Sequence, residues 1–451
     1  MARPWVLLNR IVHFEDLGVA LTGGLSSGGG EGFDGGASEG AAAIGGSSKM
    51  LSPREAMVAM KPCPVIASPP EVTRLSMLLQ TPAARLGQCV RIGEISSTDK
   101  SILAIYSGLY RPGNGGYSGD GGYLVFDASS NALSAIPALP HSPNLKGLGR
   151  SAVVLRHGSA AGGYTLAELV TTCDTGLPEA ELCVWSPSST VSPDGEWIQT
   201  SIRLPLPEDL CGPTYFFKID MAFSFAGCFC WVDLLTGVLV CDPSAQQGPK
   251  FSFIPLPVGY CMYVKYSRRL RLTPEVFRSM SCVRGAIKFV ALVGYTEEAC
   301  PSNEVMLKTW TLSPDFKEWN KGKDLSVGEV WASDSFNKME LPRVVPMCPV
   351  LSMHEDEIIY AILNDMEEVD EVDEYEDIVG VTTVPKAHYK IRLDMLQNKV
   401  MSSTKSSTCS FEWLTPKLLA SEFNAYLQDP KVHQGMEEAS NVGVSAKRIK
   451  Y

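Results

Sequence analysis

The chain has 451 residues, 45% of them hydrophobic, with 40 glycines, 30 prolines and 13 cysteines, enough apolar material for one large β domain or two ordinary ones. The formal net charge is −11, but nine acidic residues lie within 365–377, so the remainder is close to neutral and lacks the basic face that nucleic-acid binding needs. The longest apolar runs fall short of a membrane span.

Residues 5–13 read as a strand. Residues 23–48 are Gly, Ser and Ala with little else, a composition that buries too little to order itself; residues 1–54 are therefore expected to be a first strand followed by a flexible loop. From 55 to 415 the pattern predicts one continuous β domain. Short segments rich in Val, Ile, Phe, Tyr and Trp, bounded by Gly, Pro, Asn, Asp and Ser, recur at Val72–Leu79, Ile102–Tyr110, Gly122–Phe126, Tyr164–Thr171, Met221–Phe225, Cys228–Asp233, Ala286–Val293 and Glu357–Leu363, among roughly two dozen. The acidic run 365–377 reads as a hydrated, self-repelling loop between strands, with docking of a basic partner as the sharper alternative. In Pro416–Leu427 the residues Leu418, Leu419, Phe423 and Leu427 fall on one helical face, so 416–451 is predicted to be a short C-terminal helix with a flexible tail.

A phrase repeats along this β region. Leu124-Val125-Phe126-Asp127 is followed by Ile136-Pro137-Ala138-Leu139-Pro140, and Leu239-Val240-Cys241-Asp242 by Phe253-Ile254-Pro255-Leu256-Pro257. A looser copy runs from Val184-Trp185 through Trp197 to Leu204-Pro205-Leu206-Pro207. A strand, a polar turn, a second strand and a Leu-Pro exit make a recurring unit. With anchors at Phe126, Trp185, Cys241, Trp310 and about Tyr360, the expected fold is all-β and β-propeller-like, with about six blades of antiparallel strands (seven as the alternative) and the first strand closing on a late one.

The clearest single motif is Cys230-Trp231-Val232-Asp233-Leu234-Leu235-Thr236-Gly237-Val238-Leu239-Val240-Cys241-Asp242 with Pro255 and Pro257 after it. Trp231 and Asp233 are two apart and share one face of a strand; Asp233 sits where its carboxylate can accept backbone N–H groups of a turn; Gly237 is read as supplying the turn's φ freedom; Val238–Asp242 returns as the partner strand. The reading is a structural hairpin with a buried Trp. This segment, together with the opening Trp5–Arg10, Pro69–Leu75, Trp310–Leu312 and Trp331, resembles the signature of a plant domain-of-unknown-function family, number 1618, expanded in grasses. The resemblance implies a propeller-like fold similar to F-box-associated domains, and no catalytic residues to carry over. The inserts at 23–48 and 365–377 depart from that pattern.

Other motifs carry less. Gly30–Gly35 matches the dinucleotide-binding glycine spacing and Gly24–Gly28 the nucleophile elbow, but both lie inside a Gly-rich run without the strand and helix that give those patterns their chemistry. Cys228 and Cys230 are spaced as neighbours on one strand face and, with the six histidines dispersed, read as buried thiols rather than metal ligands. His354–Glu357 reads as a polar loop, and the basic stretches Lys265–Arg271 and Lys447–Lys450 as solvated surface. An odd, unpatterned cysteine set, no Asn-x-Ser/Thr site and too short an apolar opening for a signal peptide point to a cytoplasmic or nuclear protein with reduced thiols. The expected function is a non-catalytic protein–protein interaction module without cofactor, metal, nucleic acid or membrane; the alternative is a small-ligand binder or enzyme with its site in the central channel.

Overall fold

In the computed structural model the residues described are 5–16, 60–79, 92–107, 122–137, 139, 151–158, 163–171, 179–187, 195–211, 217–262, 273–372, 378–406 and 416–427. The Gly-rich run with its two glycine motifs, the basic stretches Lys265–Arg271 and Lys447–Lys450, and the tail from 430 lie outside them.

The chain is mostly β, arranged in five sheets. Four of these are four-stranded, antiparallel and laid down in chain order. One comprises β9 (Val153–Arg156), β10 (Tyr164–Thr171), β11 (Glu179–Ser186) and β12 (Glu196–Arg203); the next, β13 (Met221–Phe225), β14 (Cys228–Asp233), β15 (Gly237–Asp242) and β16 (Lys250–Pro255). Then follow β17 (Arg278–Val283), β18 (Ala286–Val293), β19 (Met306–Leu312) and β20 (Trp319–Ser326), and finally β21 (Met347–Leu351), β22 (Ile358–Val372), β23 (Ile378–Asp394) and β24 (Lys399–Ser406). The first sheet is larger. It joins β5 (Ile92–Asp99), β6 (Ile102–Ser107), β7 (Gly122–Asp127) and β8 (Ala132–Ile136) to β1 (Val6–Asn9), β2 (Ile11–Asp16), β3 (Met60–Val65), β4 (Val72–Leu79) and β25 (Leu418–Ser421).

The repeated phrase has a structural meaning. Leu124–Asp127, Trp185, Leu239–Asp242 and Trp310 all lie on the third strand of a four-strand run, β7, β11, β15 and β19. Both intact copies end in the same turn: Asp127 accepts from the backbone N–H of Ser129 at 3.0 Å and its hydroxyl at 2.7 Å, and Asp242 does the same with Ser244 at 2.9 and 2.7 Å. Second and third strands are buried along nearly their whole length, as in β10, β14 and β15, whereas the fourth strands β12 and β16 alternate or lie open. Continuous burial means both sheet faces are covered.

Among the described residues, six hydrophobic clusters provide that cover, five shared between sheets and one within the large first sheet. Tyr123 and Ile102 of the first sheet meet Leu166, Trp185 and Trp197 of the second. The other face of the second sheet packs on Phe229 and Trp231, and the other face of that third sheet on Phe289 and Trp310 of the fourth. The fourth meets the fifth through Leu292, Ile359 and Ile391, capped by two short helices, α1 (Val327–Ala332) and α2 (Asp334–Lys338). The fifth packs Tyr360 and Ile362 on Trp5 and Leu7, and Val6, Leu8 and Leu75 pack back on Ile105 and Phe126 of the first. Indole N–H groups cross three of these boundaries to backbone carbonyls: Trp197 to Pro137 at 2.8 Å, Trp231 to Ser151 at 2.9 Å and Trp319 to Pro255 at 2.8 Å. Pro137 and Pro255 are the Ile-Pro exits of the two intact phrases.

Three expectations need correction. The strand predicted over 5–13 breaks at Arg10, where the chain changes partner from β25 to β5; the Arg10 N–H donates to Lys417 and its carbonyl accepts from Ile95. Residues 416–427 are not a helix. Leu418–Ser421 extends along β1, from Val6↔Ser421 to Asn9↔Leu418, and only a 3-10 turn at Phe423–Tyr426 follows, because the unpaired edge of β1 offers four ladder partners that a helix would forgo. This is the pairing of first and late strand that closure called for. The acidic segment is not a loop through 372: β22 and β23 form one long hairpin in which Glu367 faces Val384, Glu368 faces Thr383 and Asp370 faces Val381. The β-branched partner strand favours pairing and no like charges stand opposite one another; residues 373–377 lie outside the described set. The helices α1 and α2 went unread in the sequence, although Ser326 and Glu329 form a reciprocal capping box at the start of α1.

At the root of that hairpin, His388 is fully buried and its Nδ1 lies 2.6 Å from Asn364 Oδ1. Burial, and then the charge of Lys390, hold its pKa below the ordinary histidine value. Protonation therefore favours the unfolded chain: the contribution is complete above the unfolded value of about 6.5 and is lost as pH falls below it toward the folded value. Urea unfolding between pH 7.5 and pH 5 should show a loss of stability on acidification that His388→Gln reduces. Separately, Trp197→Phe and Trp319→Phe should each cost about 1 kcal/mol in the same assay at neutral pH, the worth of one indole hydrogen bond, whereas Trp231→Ala should cost about 3–5 kcal/mol.

Candidate functional site

The signature residues meet in one hairpin, and its geometry is that of a packing element. Trp231 on β14 is fully buried, stacks on Phe251 with ring centroids 6.1 Å apart and spends its indole N–H on the preceding sheet. Asp233, also fully buried, accepts from the backbone N–H of Leu235 at 2.9 Å and of Lys218 at 3.1 Å, which pins the β14–β15 turn to the incoming chain. Arg278 of the next sheet grips the same turn from the other side, donating to the carbonyls of Leu234 and Tyr260, both at 2.9 Å. Burial pulls the Arg278 pKa down to about 10, against the opposing influence of Cys261 and Asp233.

Gly237 is required for a different reason from the one read in the sequence. It is not among the glycines with positive φ. A Cβ there would lie 2.4 Å from the Ile254 carbonyl oxygen and 2.5 Å from the Phe253 ring, so the position demands close approach rather than backbone freedom. Asp242 closes the next turn with Ser244. Pro255 ends β16 opposite Gly237 and presents its carbonyl to Trp319, and the Pro257 carbonyl accepts from Tyr260 N–H at 3.0 Å. Trp231 and Pro255 thus take part in bonds between sheets, Asp233 and Asp242 hold turns, and Gly237 admits the neighbouring strand.

The thiols of Cys228, Cys230 and Cys241 all have pKa values pushed up by burial, Cys241 to about 12, so they stay protonated and unreactive at neutral pH. Among the described residues no three His, Cys, Asp or Glu side chains come together to hold a metal. His354–Glu357 supplies ion pairs: Lys288 lies 3.0 Å from Asp356 and 3.3 Å from Glu357, and Arg392 lies 2.6 Å from Glu355.

Two features are not used up by the packing. One is the β22–β23 hairpin. Among the described strands, β21 pairs β22 only from Ile359 to Ile362 and β24 pairs β23 only from His388 to Asp394, so beyond Asn364 the two strands pair with each other alone. This arm exposes Met366, Val369, Val381 (60% exposed) and Val384 on a strand pair that also carries Asp365, Glu367, Glu368 and Asp370, with Lys386 as the single cation among its described residues. The other is a cavity of about 200 Å³ where the leading strands of several sheets converge. It is neither a basic channel nor a ring of carboxylates. The sequence flagged the arm's charge but not its form, and its alternative of a site in a central channel named none of the cavity's walls, which come from six separated segments.

No curated protein matches this sequence. Among solved structures the chain is similar to dihydro-heme d1 dehydrogenase NirN, at 10% identity and a TM-score of 0.30, covering 72% of this chain and 58% of that one, under two thirds of its length. It is also similar to the periplasmic gluconolactonase PpgL of Pseudomonas aeruginosa, at 11% identity and a TM-score of 0.33, covering 74% of this chain and 96% of that one. Similarity at that level carries no argument about activity. In the described residues no helix is long and apolar enough to cross a membrane. Residues 231–360, which run from the signature Trp231 to Tyr360 in the fifth sheet, match the model of a protein family described as "Protein of unknown function (DUF1618)".

Proposed function

We propose that this chain is a non-catalytic protein–protein interaction module, built as a six-bladed propeller-like ring in which the N-terminal strands and β25 supply the last blade. The ring reading rests on the six clusters, which lead from each layer to the next and back to the first. Membership of the whole chain in the plant family, with its likeness to F-box-associated domains, belongs to the same proposal. So does a reducing, cytoplasmic or nuclear setting, which is supported by ten free cysteines among the described residues.

The observation that carries the interaction reading is the β22–β23 arm. A two-stranded ribbon is marginal alone in water, and this one holds exposed Val and Met side chains and free backbone edges out beyond its sheet. Natural edges are usually blunted or covered. Its uncompensated carboxylates select a partner rich in Lys and Arg and repel nucleic-acid phosphates. An extended basic segment adding to a free edge would satisfy the backbone groups and the charge together.

The test is affinity purification with two baits, the unaltered protein and a variant with Asp365, Glu367, Glu368 and Asp370 replaced by Lys. The expected result is a stoichiometric basic protein retained by the first and released by moderate salt, because exposed charges are screened beyond about 10 Å at 0.1 M. The variant should lose it while unfolding at the same temperature. Equal retention by both baits, or a co-purifying small molecule with turnover in place of a protein, would overturn the proposal.

A further inference from the structure

The cavity between the sheets has a chemistry that selects its occupant. Its wall is formed by leading strands, β5 at Ser96–Asp99, β13 at Met221–Ser224 and β17 at Ser279–Cys282, with Val350 of β21 and the β25 segment Leu418–Ala420. Strands β13, β17, β21 and β25 are each the terminal strand of their sheet. A terminal strand leaves one row of backbone N–H and C=O groups without ladder partners, so donors and acceptors stand side by side along the wall. Side chains add hydroxyls. Ser96 and Ser97 are already engaged, donating to the carbonyls of Ala104 at 3.1 Å and Ala152 at 2.8 Å. Ser281 differs: its Oγ is buried and makes no hydrogen bond, an arrangement that costs free energy unless something bonds to it.

The charges at the cavity are balanced. Arg10 reaches one end, yet its guanidinium is spent on Glu94 at 3.2 Å, on the Ile95 carbonyl at 2.9 Å and on the Asp220 carbonyl at 3.4 Å. At the other end Asp99 and Glu422 stand with Lys100, and Asp99 already accepts from the Arg156 N–H at 2.7 Å. Lys100 is exposed and Glu422 half-buried at that end, whereas the buried stretch of the wall from Ser96 and Ser97 through Ala222 to Ser279 and Met280 carries no charge. Phe223, Met353 and Val350 give the remaining surface an apolar character. A volume of about 200 Å³ far exceeds the ~10–15 Å³ that one water needs.

We propose that this cavity is a binding site for an uncharged, hydroxyl-bearing small molecule with one apolar flank, of about monosaccharide size, whose hydroxyls bond to Ser281 Oγ and to the free strand edges. Uncharged polyhydroxylated molecules both donate and accept, as this wall does. The site is separate from the β22–β23 arm, and nothing in it depends on a protein partner.

Ligand-observed NMR on the full chain tests this with three probes of matched size: methyl β-glucoside (neutral, with an apolar flank), gluconate (anionic) and glucosamine (cationic). Methyl β-glucoside should bind in the millimolar range or tighter, about fivefold more weakly to Ser281→Ala, the loss of one neutral hydrogen bond, and at least tenfold more weakly to Ser281→Leu, whose side chain fills the space. The alanine variant guards against misfolding of the leucine one, and Lys386→Ala on the arm should leave binding unchanged. A stronger response from gluconate or glucosamine, no response from methyl β-glucoside, or a response unchanged in both Ser281 variants would overturn the proposal.

Discussion

The central strands β6, β7, β10, β14, β15 and β18 are buried along nearly their whole length, and that constraint governs the rest. A four-stranded sheet with only one covered face would leave residues such as Phe229, Leu239 or Val290, all fully buried, against water. Each sheet therefore needs a neighbour on either side, and each neighbour needs another. The chain resolves this by placing sheets in succession, sharing one cluster at each boundary, and returning to its own N-terminal strands. Burial of apolar area is non-directional, so it does not by itself set how one sheet sits on the next. The indole N–H bonds of Trp197, Trp231 and Trp319 do, since each demands a particular carbonyl across the boundary.

The hairpin around Trp231 concentrates these demands. Its Trp bonds backward to the second sheet, its turn is tied by Asp233 to the chain entering at Lys218, and Arg278 of the fourth sheet holds the same turn from the front. Gly237 leaves room for β16 to approach, and Pro255 at the end of β16 receives Trp319. Three consecutive sheets are aligned through a dozen residues. A motif of this kind identifies a family by its architecture, and so it speaks of fold and is silent on chemistry.

Where the packing requirement lapses, the molecule offers surfaces. The outer end of the β22–β23 hairpin lies beyond its sheet neighbours, so its valines and carboxylates are not consumed by the fold. Strands β13, β17, β21 and β25 each have one edge outside any ladder of their sheet, and beside them lies a cavity rather than a side-chain core. The two places differ in character. One is projecting, acidic and suited to a macromolecule; the other is enclosed, balanced in charge and suited to a small neutral one.

The residues alone determined the β class, most central strands and the recurrence of the Leu-Val-x-Asp unit. These follow from local β propensity and from short turns such as Asp127-x-Ser129, whose side chains bond to their own backbone. Polar fourth strands such as Glu196–Arg203 and Trp319–Ser326 were not legible, because their strand state is imposed by the ladder beside them rather than by their own composition. The same holds for Leu418–Ser421, whose apolar spacing suits a helix until β1 presents an edge, and for the acidic strand, which pairs because Val381–Val384 lies opposite. Only the tertiary structure decided that Gly237 serves close approach, that Ser281 is left without a partner, and that six separated segments line one cavity. Those facts depend on contacts between residues tens to hundreds apart, and sequence spacing carries no information about distances across such separations.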